Sequence, residues 1–206
     1  MKLKQLLHPF YTMIHPFKGF DDIKWEQKGH LWVPAVIAGV WLLLSVFSHF
    51  FTGFTFNYGR PEDFNLLIEI VRTVGLLALW ITANWCVCTI MDGSGKLREI
   101  IICSAYSMVP YIISVLISIA ASNWITESEA VFVGMITAVC MLWSFLLLFV
   151  AMQMIHEYQG LRALWSMLLT VAAMAVIIFL ALLFFTLFKQ LYTFIVTIFS
   201  ELSMRS

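Results

Sequence analysis

The chain has 206 residues, 62% of them hydrophobic and 12% charged, where soluble domains carry roughly 45–50% and about 25%. Too few polar residues are present to cover a water-facing surface, so lipid covers it and a soluble enzyme is excluded. Twelve basic residues balance twelve acidic ones, which leaves no electrostatic footprint for nucleic acid.

Residues 1–30 carry Lys2, Lys4, Lys18, Lys24 and Lys28 beside Asp21, Asp22 and Glu26. They have neither the roughly 7–15-residue apolar core nor the small-residue cleavage site of a secretory signal. His8-Pro9-Phe10 recurs as His15-Pro16-Phe17, and Phe20, Ile23 and Trp25 mix with the lysines. This predicts an amphipathic cytoplasmic segment lying in the headgroup region, its prolines breaking it into short pieces. It is either an adaptor that feeds the first span or an arm that docks a partner.

Five segments then follow that are long and apolar enough to cross ~30 Å of hydrocarbon as helices, at 31–51, 66–90, 100–121, 130–154 and 164–188. The predicted fold is an all-α integral membrane bundle of about five transmembrane helices over residues 31–188. Pro34 falls in a first turn, where a missing N–H costs little. Trp32, Trp124 and Trp165 fall near span ends, where amphipathic rings settle.

In the second span Glu69 and Arg72 lie three apart on one face and can pair. Ionisable groups inside a span are functional suspects, but these two sit near its end and neutralise each other, so an interfacial ion pair is the simpler reading. Asn84 lies deeper and needs a partner on another helix. The turn that follows, with Asp92, Gly93, Ser94 and Gly95, suits a tight connection, and Asp92 or Ser94 can cap the next helix. It lacks the glycine spacing and the Lys-Ser/Thr pair of a phosphate-binding loop. Docking of a cytoplasmic partner is the functional alternative.

In the third span Ser104, Ser107, Tyr111, Ser114 and Ser118 step by three and four onto one helix face. Small hydroxylated residues let helices approach and hydrogen-bond across the contact; the alternative is a polar groove for an ion, solute or lipid headgroup. Pro110 removes its own N–H and crowds the carbonyl of Tyr106, which predicts a kink. Gly75, Ala78 and Thr82 in the second span, with Gly134 and Ala138 in the fourth, add close-approach surfaces.

Cys86, Cys88, Cys103 and Cys140 all fall in apolar runs, which argues against a disulfide framework. Cys86, Cys88 and Cys103 lie at similar depth, but residues two apart on a helix diverge, so packing in the core is expected rather than a metal site. His8, His15, His30, His49 and His156 are scattered. No nucleophile–base arrangement, paired carboxylates, metal set or cofactor site is expected. The tail at 189–206 places Leu191, Phe194, Ile195, Ile198, Phe199 and Leu202 at helical spacing. It is too short and interrupted for a sixth span, so it is expected on the extracytoplasmic surface.

Eight basic residues gather on one side, Lys2, Lys4, Lys18, Lys24, Lys28, Lys96, Arg98 and Arg162, against Arg60, Arg72, Lys189 and Arg205 on the other. The positive-inside rule therefore puts the N-terminus in the cytoplasm and the C-terminus outside.

The opening His-Pro-Phe-Lys-Gly-Phe at 15–20, with Trp25 before the first span, resembles the Yip-domain family (the Ypt-interacting protein family), especially its shorter bacterial members. The stretch from Asn84 through Met91 to Gly95 looks like the family's polar end of the second span with its glycine turn. Tyr106-Ser107-Met108-Val109-Pro110 is similar to its Tyr-x-x-x-Pro in the third. The likeness covers roughly residues 9–185 and implies a five-span domain with a cytosolic N-terminus and no established catalytic residues. Eukaryotic relatives are linked to vesicle trafficking, Rab-type GTPases and membrane shaping. The long acidic N-terminal region and its Asp-Leu-Tyr-Gly-Pro motif are lacking here, so a GTPase-linked role is not expected and a bacterial cell membrane is.

The function these features predict is a non-enzymatic accessory or scaffold subunit of a membrane assembly. Its partners are membrane lipids, with other membrane-protein subunits or itself. The alternatives are a small transporter or channel using the kinked third span, and a lipid-handling or membrane-shaping protein.

Overall fold

A computed structural model describes residues 2–53 and 64–205. Among them no strand occurs, and five helices are long and apolar enough to span a membrane. The chain is an all-α multi-pass membrane protein. Arg60, counted above for orientation, lies outside the described residues.

Two short helices come first, α1 (Lys2–Ile14) and α2 (Pro16–Trp25), followed by α3 (Trp32–Phe51). The second span, α4 (Leu66–Ile90), contains a π turn at Val71–Gly75. The third is split into α5 (Leu97–Ser107) and α6 (Val109–Ala121). Then come α7 (Ala130–His156) and α8 (Gly160–Arg205).

Helices α1 and α2 form a hairpin packed lengthwise against the bundle, where the sequence suggests pieces lying in the headgroup region. Pro16 opens α2 at a position that needs no N–H, whereas Pro9 is accommodated within α1. The two helices cross closely at Gly19, where a Cβ would stand 2.7 Å from the Thr12 Cα, so any larger residue pries them apart. Trp143 Nε1 donates to the Met13 carbonyl at 3.2 Å, and Lys24 Nζ donates to the Ile155 carbonyl at 2.6 Å. Those two α7 residues lie about 18 Å apart along the helix, so the hairpin runs along α7 for that distance. It buries Phe20 and Ile23 against Met152 and Ile155 in the core, and leaves Leu7, Phe10, Ile14 and Phe17 exposed.

The core gathers at one end of the bundle, the end that carries Lys96, Arg98 and Arg162 and is called the basic end below. There Ile102, Cys103 and Tyr106 of α5 meet Leu147, Ala151 and Met152 of α7. Toward the distal end the helices present apolar side chains outward, as a lipid-facing surface requires.

The third span breaks at Met108, two residues before Pro110. The Tyr111 N–H finds its acceptor on another helix, Ser144 Oγ of α7, at 3.0 Å. The sequence also suggests that the fifth span ends at 188. In the structure α8 continues unbroken for 46 residues. The reason is compositional: no glycine or proline follows Gly160 before Arg205, and the polar pair Lys189-Gln190 favours helix.

Candidate functional site

The densest polar cluster is buried at the basic end, between α4, α7 and α8. Asn84 and Cys88 are four apart on α4 and so share a face, and His156 closes α7. Cys88 Sγ lies 3.1 Å from His156 Nδ1, and His156 Nε2 lies 3.1 Å from Asn84 Oδ1. Asn84 Nδ2 donates to Met152 Sδ at 3.1 Å and to Thr170 Oγ1 at 3.3 Å, and Thr170 donates on to the Ser166 carbonyl.

The proton order follows from the partners. A thioether sulfur only accepts, so the amide NH2 of Asn84 faces Met152 and its carbonyl faces His156. The imidazole therefore carries its proton on Nε2 and offers Nδ1 as acceptor to the Cys88 thiol. The sequence offered no nucleophile–base arrangement, and the structure brings this thiol, imidazole and amide into contact. The same residue types in the same order activate thiol nucleophiles on unrelated folds. Here the group is sealed, with Asn84 0%, His156 2% and Cys88 3% exposed.

The seal is the glycine turn after α4. Asp92 takes a left-handed conformation at φ 53°, reversing the chain. A Cβ on Gly93 would strike the Tyr158 hydroxyl, Cys88 Sγ and His156 Nδ1, and one on Gly95 would stand 2.5 Å from His156 Nδ1. Only glycine lets the backbone lie this close to the imidazole. His156 stacks on Tyr158 at 5.2 Å, and Tyr158 lies under the Arg162 guanidinium, which itself donates to the Met91 carbonyl. Burial pushes the Tyr158 hydroxyl up from its ordinary pKa. The helix after the turn is capped by Glu99, which accepts from the Lys96 N–H at 3.0 Å, and not by Asp92 or Ser94.

Lys24 of the hairpin fastens this end. Its Nζ, almost buried, reaches Ser94 Oγ, the Ile155 carbonyl and Glu157 Oε1, each at 2.6 Å. The lysine holds the Glu157 carboxyl below its ordinary range. The face of the turn toward the protein is thus occupied by the chain itself, while Asp92 and Ser94 keep an exposed side.

The hydroxyl face of the third span divides at the break. Ser104 and Ser107 are fully buried in the core, where Ser107 donates to the Cys103 carbonyl. Tyr111 and Ser118 line a groove of about 210 Å³ toward the distal end, with Ser48, Thr52, Ser122 and Thr137. Ser114, fully buried, donates to the Tyr111 carbonyl. Ser48, Thr52, Ser122 and Thr137 likewise donate to carbonyls of their own helices at 2.5–3.0 Å. Their hydroxyls are engaged with backbone, and carbon forms most of the wall. Tyr106, also in the core, faces the His8 ring of α1 at 5.9 Å.

Glu69 and Arg72 approach to 3.7 Å beside the π turn. They are unequal partners. Arg72 is exposed, whereas Glu69 is buried and accepts from Ser45 Oγ of α3 at 2.5 Å, so the carboxyl ties two spans together. Among the described residues no cluster of three metal-ligating side chains occurs.

A family model for the Yip1 domain matches residues 10–200. The chain belongs to the Yip1 domain family. Neither a curated protein nor a solved structure matches it. The Yip1 match takes in the hairpin from Phe10 onward, the glycine turn, the split third span and α8 almost to its end. In this Yip1 domain the buried trio is drawn from α4 and from the end of α7, segments 68 residues apart at Cys88 and His156. One signal for it is legible in the sequence: Asn84 and Cys88, two hydrogen-bonding groups one turn apart in the second span.

Proposed function

We propose that this Yip1-domain protein is a non-enzymatic accessory or scaffold subunit of a membrane assembly. It sits in a bacterial cell membrane with its N-terminus in the cytoplasm and its C-terminus outside. One observation carries the reading. The small-residue face of α7 at Gly134 and Ala138 turns away from the protein, with nothing within 4 Å of a Cβ built on Gly134. Ala78 and Thr82 of α4 are likewise exposed. Small residues at a lipid-facing surface permit close approach of another helix, and none among the described residues makes it. The basic end fits the role of a rigid base, since its polar network is closed upon itself by the turn and by Lys24. The Cys88 trio then serves to hold α4, α7 and α8 in register.

A photo-crosslinking residue at Ala138 tests this in the native membrane. Attachment of a discrete protein, foreign or a second copy, is expected. Lipid adducts alone at that position contradict the proposal.

The groove at Tyr111 and Ser118 favours a second reading, a small transporter using the split third span. It predicts that Ser118→Leu and Pro110→Ala abolish flux in reconstituted vesicles while folding survives. Unchanged flux removes it.

A further inference from the structure

The apolar part of α8 is too long for one bilayer. Its membrane-compatible run, Gly160–Ile198, has 39 residues and is about 58 Å long, against ~30 Å of hydrocarbon. Tilting cannot absorb the difference. Fitting that length would need a tilt of about 60°, while spans tilt by roughly 0–40°, and the first turns of α8 are locked by the Thr170–Asn84 bond.

The antiparallel register with α4 shows where the surplus begins. Eighteen residues separate Leu66, the distal start of α4, from Asn84, and eighteen residues on from Thr170 comes Phe188. The helix therefore passes the end of its neighbour at Lys189-Gln190, the first polar pair after a long apolar run. About 25 Å of helix remains beyond that point. Every residue from Ile178 to Ile198 is exposed, so none of the described residues covers that stretch.

The surplus is also two-faced. At 100° per residue, Leu191, Phe194, Ile195 and Ile198 fall within one third of the helix circumference, while Lys189, Thr193, Thr197 and Ser200 fall opposite. A spanning helix surrounded by lipid has no use for a polar stripe, and a helix projecting into water has no use for an apolar one. Both are required of a helix lying in a membrane interface.

We infer that Lys189–Arg205, continuous with α8 in the structure, bends at the polar pair once in a bilayer and lies along the distal membrane surface. Its partner is the phospholipid headgroup layer, with Leu191, Phe194, Ile195 and Ile198 entering the tops of the acyl chains. This inference is independent of the scaffold reading, because it needs no second protein.

Spin labels at single introduced cysteines test it, in full-length protein reconstituted in vesicles of zwitterionic and anionic phospholipid. Cys86 and Cys140 are replaced by alanine, and the buried Cys88 and Cys103 are left in place. Accessibility to oxygen, which partitions into lipid, is compared with accessibility to a water-soluble nickel chelate. The expected result is a severalfold swing with helical period. Phe194→Cys and Ile198→Cys favour oxygen, and Thr193→Cys and Thr197→Cys favour the chelate. Uniform access to the chelate overturns the inference in favour of a projecting helix. Uniform shielding from both, with dipolar broadening between labels, overturns it in favour of a second copy covering the tail.

Discussion

Asn84 shows how much a single residue can organise when lipid is the surrounding solvent. Its amide bonds two neighbouring helices at once, and Asn84→Ala leaves the His156 Nε2–H buried without an acceptor. Unsatisfied buried groups cost about 1–3 kcal/mol, and interhelical bonds in membranes average nearer 0.6 kcal/mol. Asn84→Ala is therefore expected to cost about 1–2 kcal/mol, read as a lower unfolding midpoint in detergent. The glycines make a sharper contrast, because the same substitution should have opposite signs at two sites. Gly95→Ala drives a methyl into the His156 ring and is expected to cost about 1–3 kcal/mol. Gly134→Ala meets nothing and gains up to about 0.5–1 kcal/mol of helix propensity. Asn84 was legible in the sequence as a residue needing an interhelical partner. His156 was not, since nothing near it in the chain distinguishes a helix-ending histidine from a solvated one.

Between elements, the hairpin and the split span depend on few contacts, and each can be tested alone. Lys24 joins α2 to the glycine turn and to Glu157, whose carboxyl it holds below the ordinary range. A depressed carboxyl pKa means a contribution fully present at neutral pH and lost as pH falls through the lowered value. The ratio of observed to intrinsic hydrogen-exchange rate in α2 should therefore rise on acidification below the usual carboxylate range. Lys24→Met should raise it at neutral pH and flatten that acid dependence. In the third span Ser144 accepts the Tyr111 N–H that the break sets free. Ser144→Ala is expected to cost about 1 kcal/mol in the parent but little in a Pro110→Ala background, where Tyr111 can bond Ser107. A double-mutant cycle measures that coupling. Pro110 marked this break in advance, because missing donors are visible in sequence. The length of α8 was obscured for the converse reason: Lys189 and Gln190 look like a boundary, yet the helix runs through both of them.

At the scale of the molecule, five apolar runs of helical span length revealed the spans, since a helix satisfies its own backbone groups in lipid. Composition was silent on how the spans are stacked. The chain gathers its core and the Asn84–His156–Cys88 network at the basic end, and it turns apolar and small-residue surface outward toward the distal end. Such a division gives a rigid base with an adaptable rim, which is what a subunit needs in order to hold its own shape while receiving other helices. The hairpin from Phe10 onward lies inside the Yip1 match and forms part of that base. The measurement that tests the scaffold role most directly is native mass spectrometry of the protein released gently from its own membrane, alongside a Gly134→Leu variant. Stoichiometric protein subunits on the parent, diminished in the variant, are the predicted result. A monomer carrying only lipid, the same in both, would contradict it.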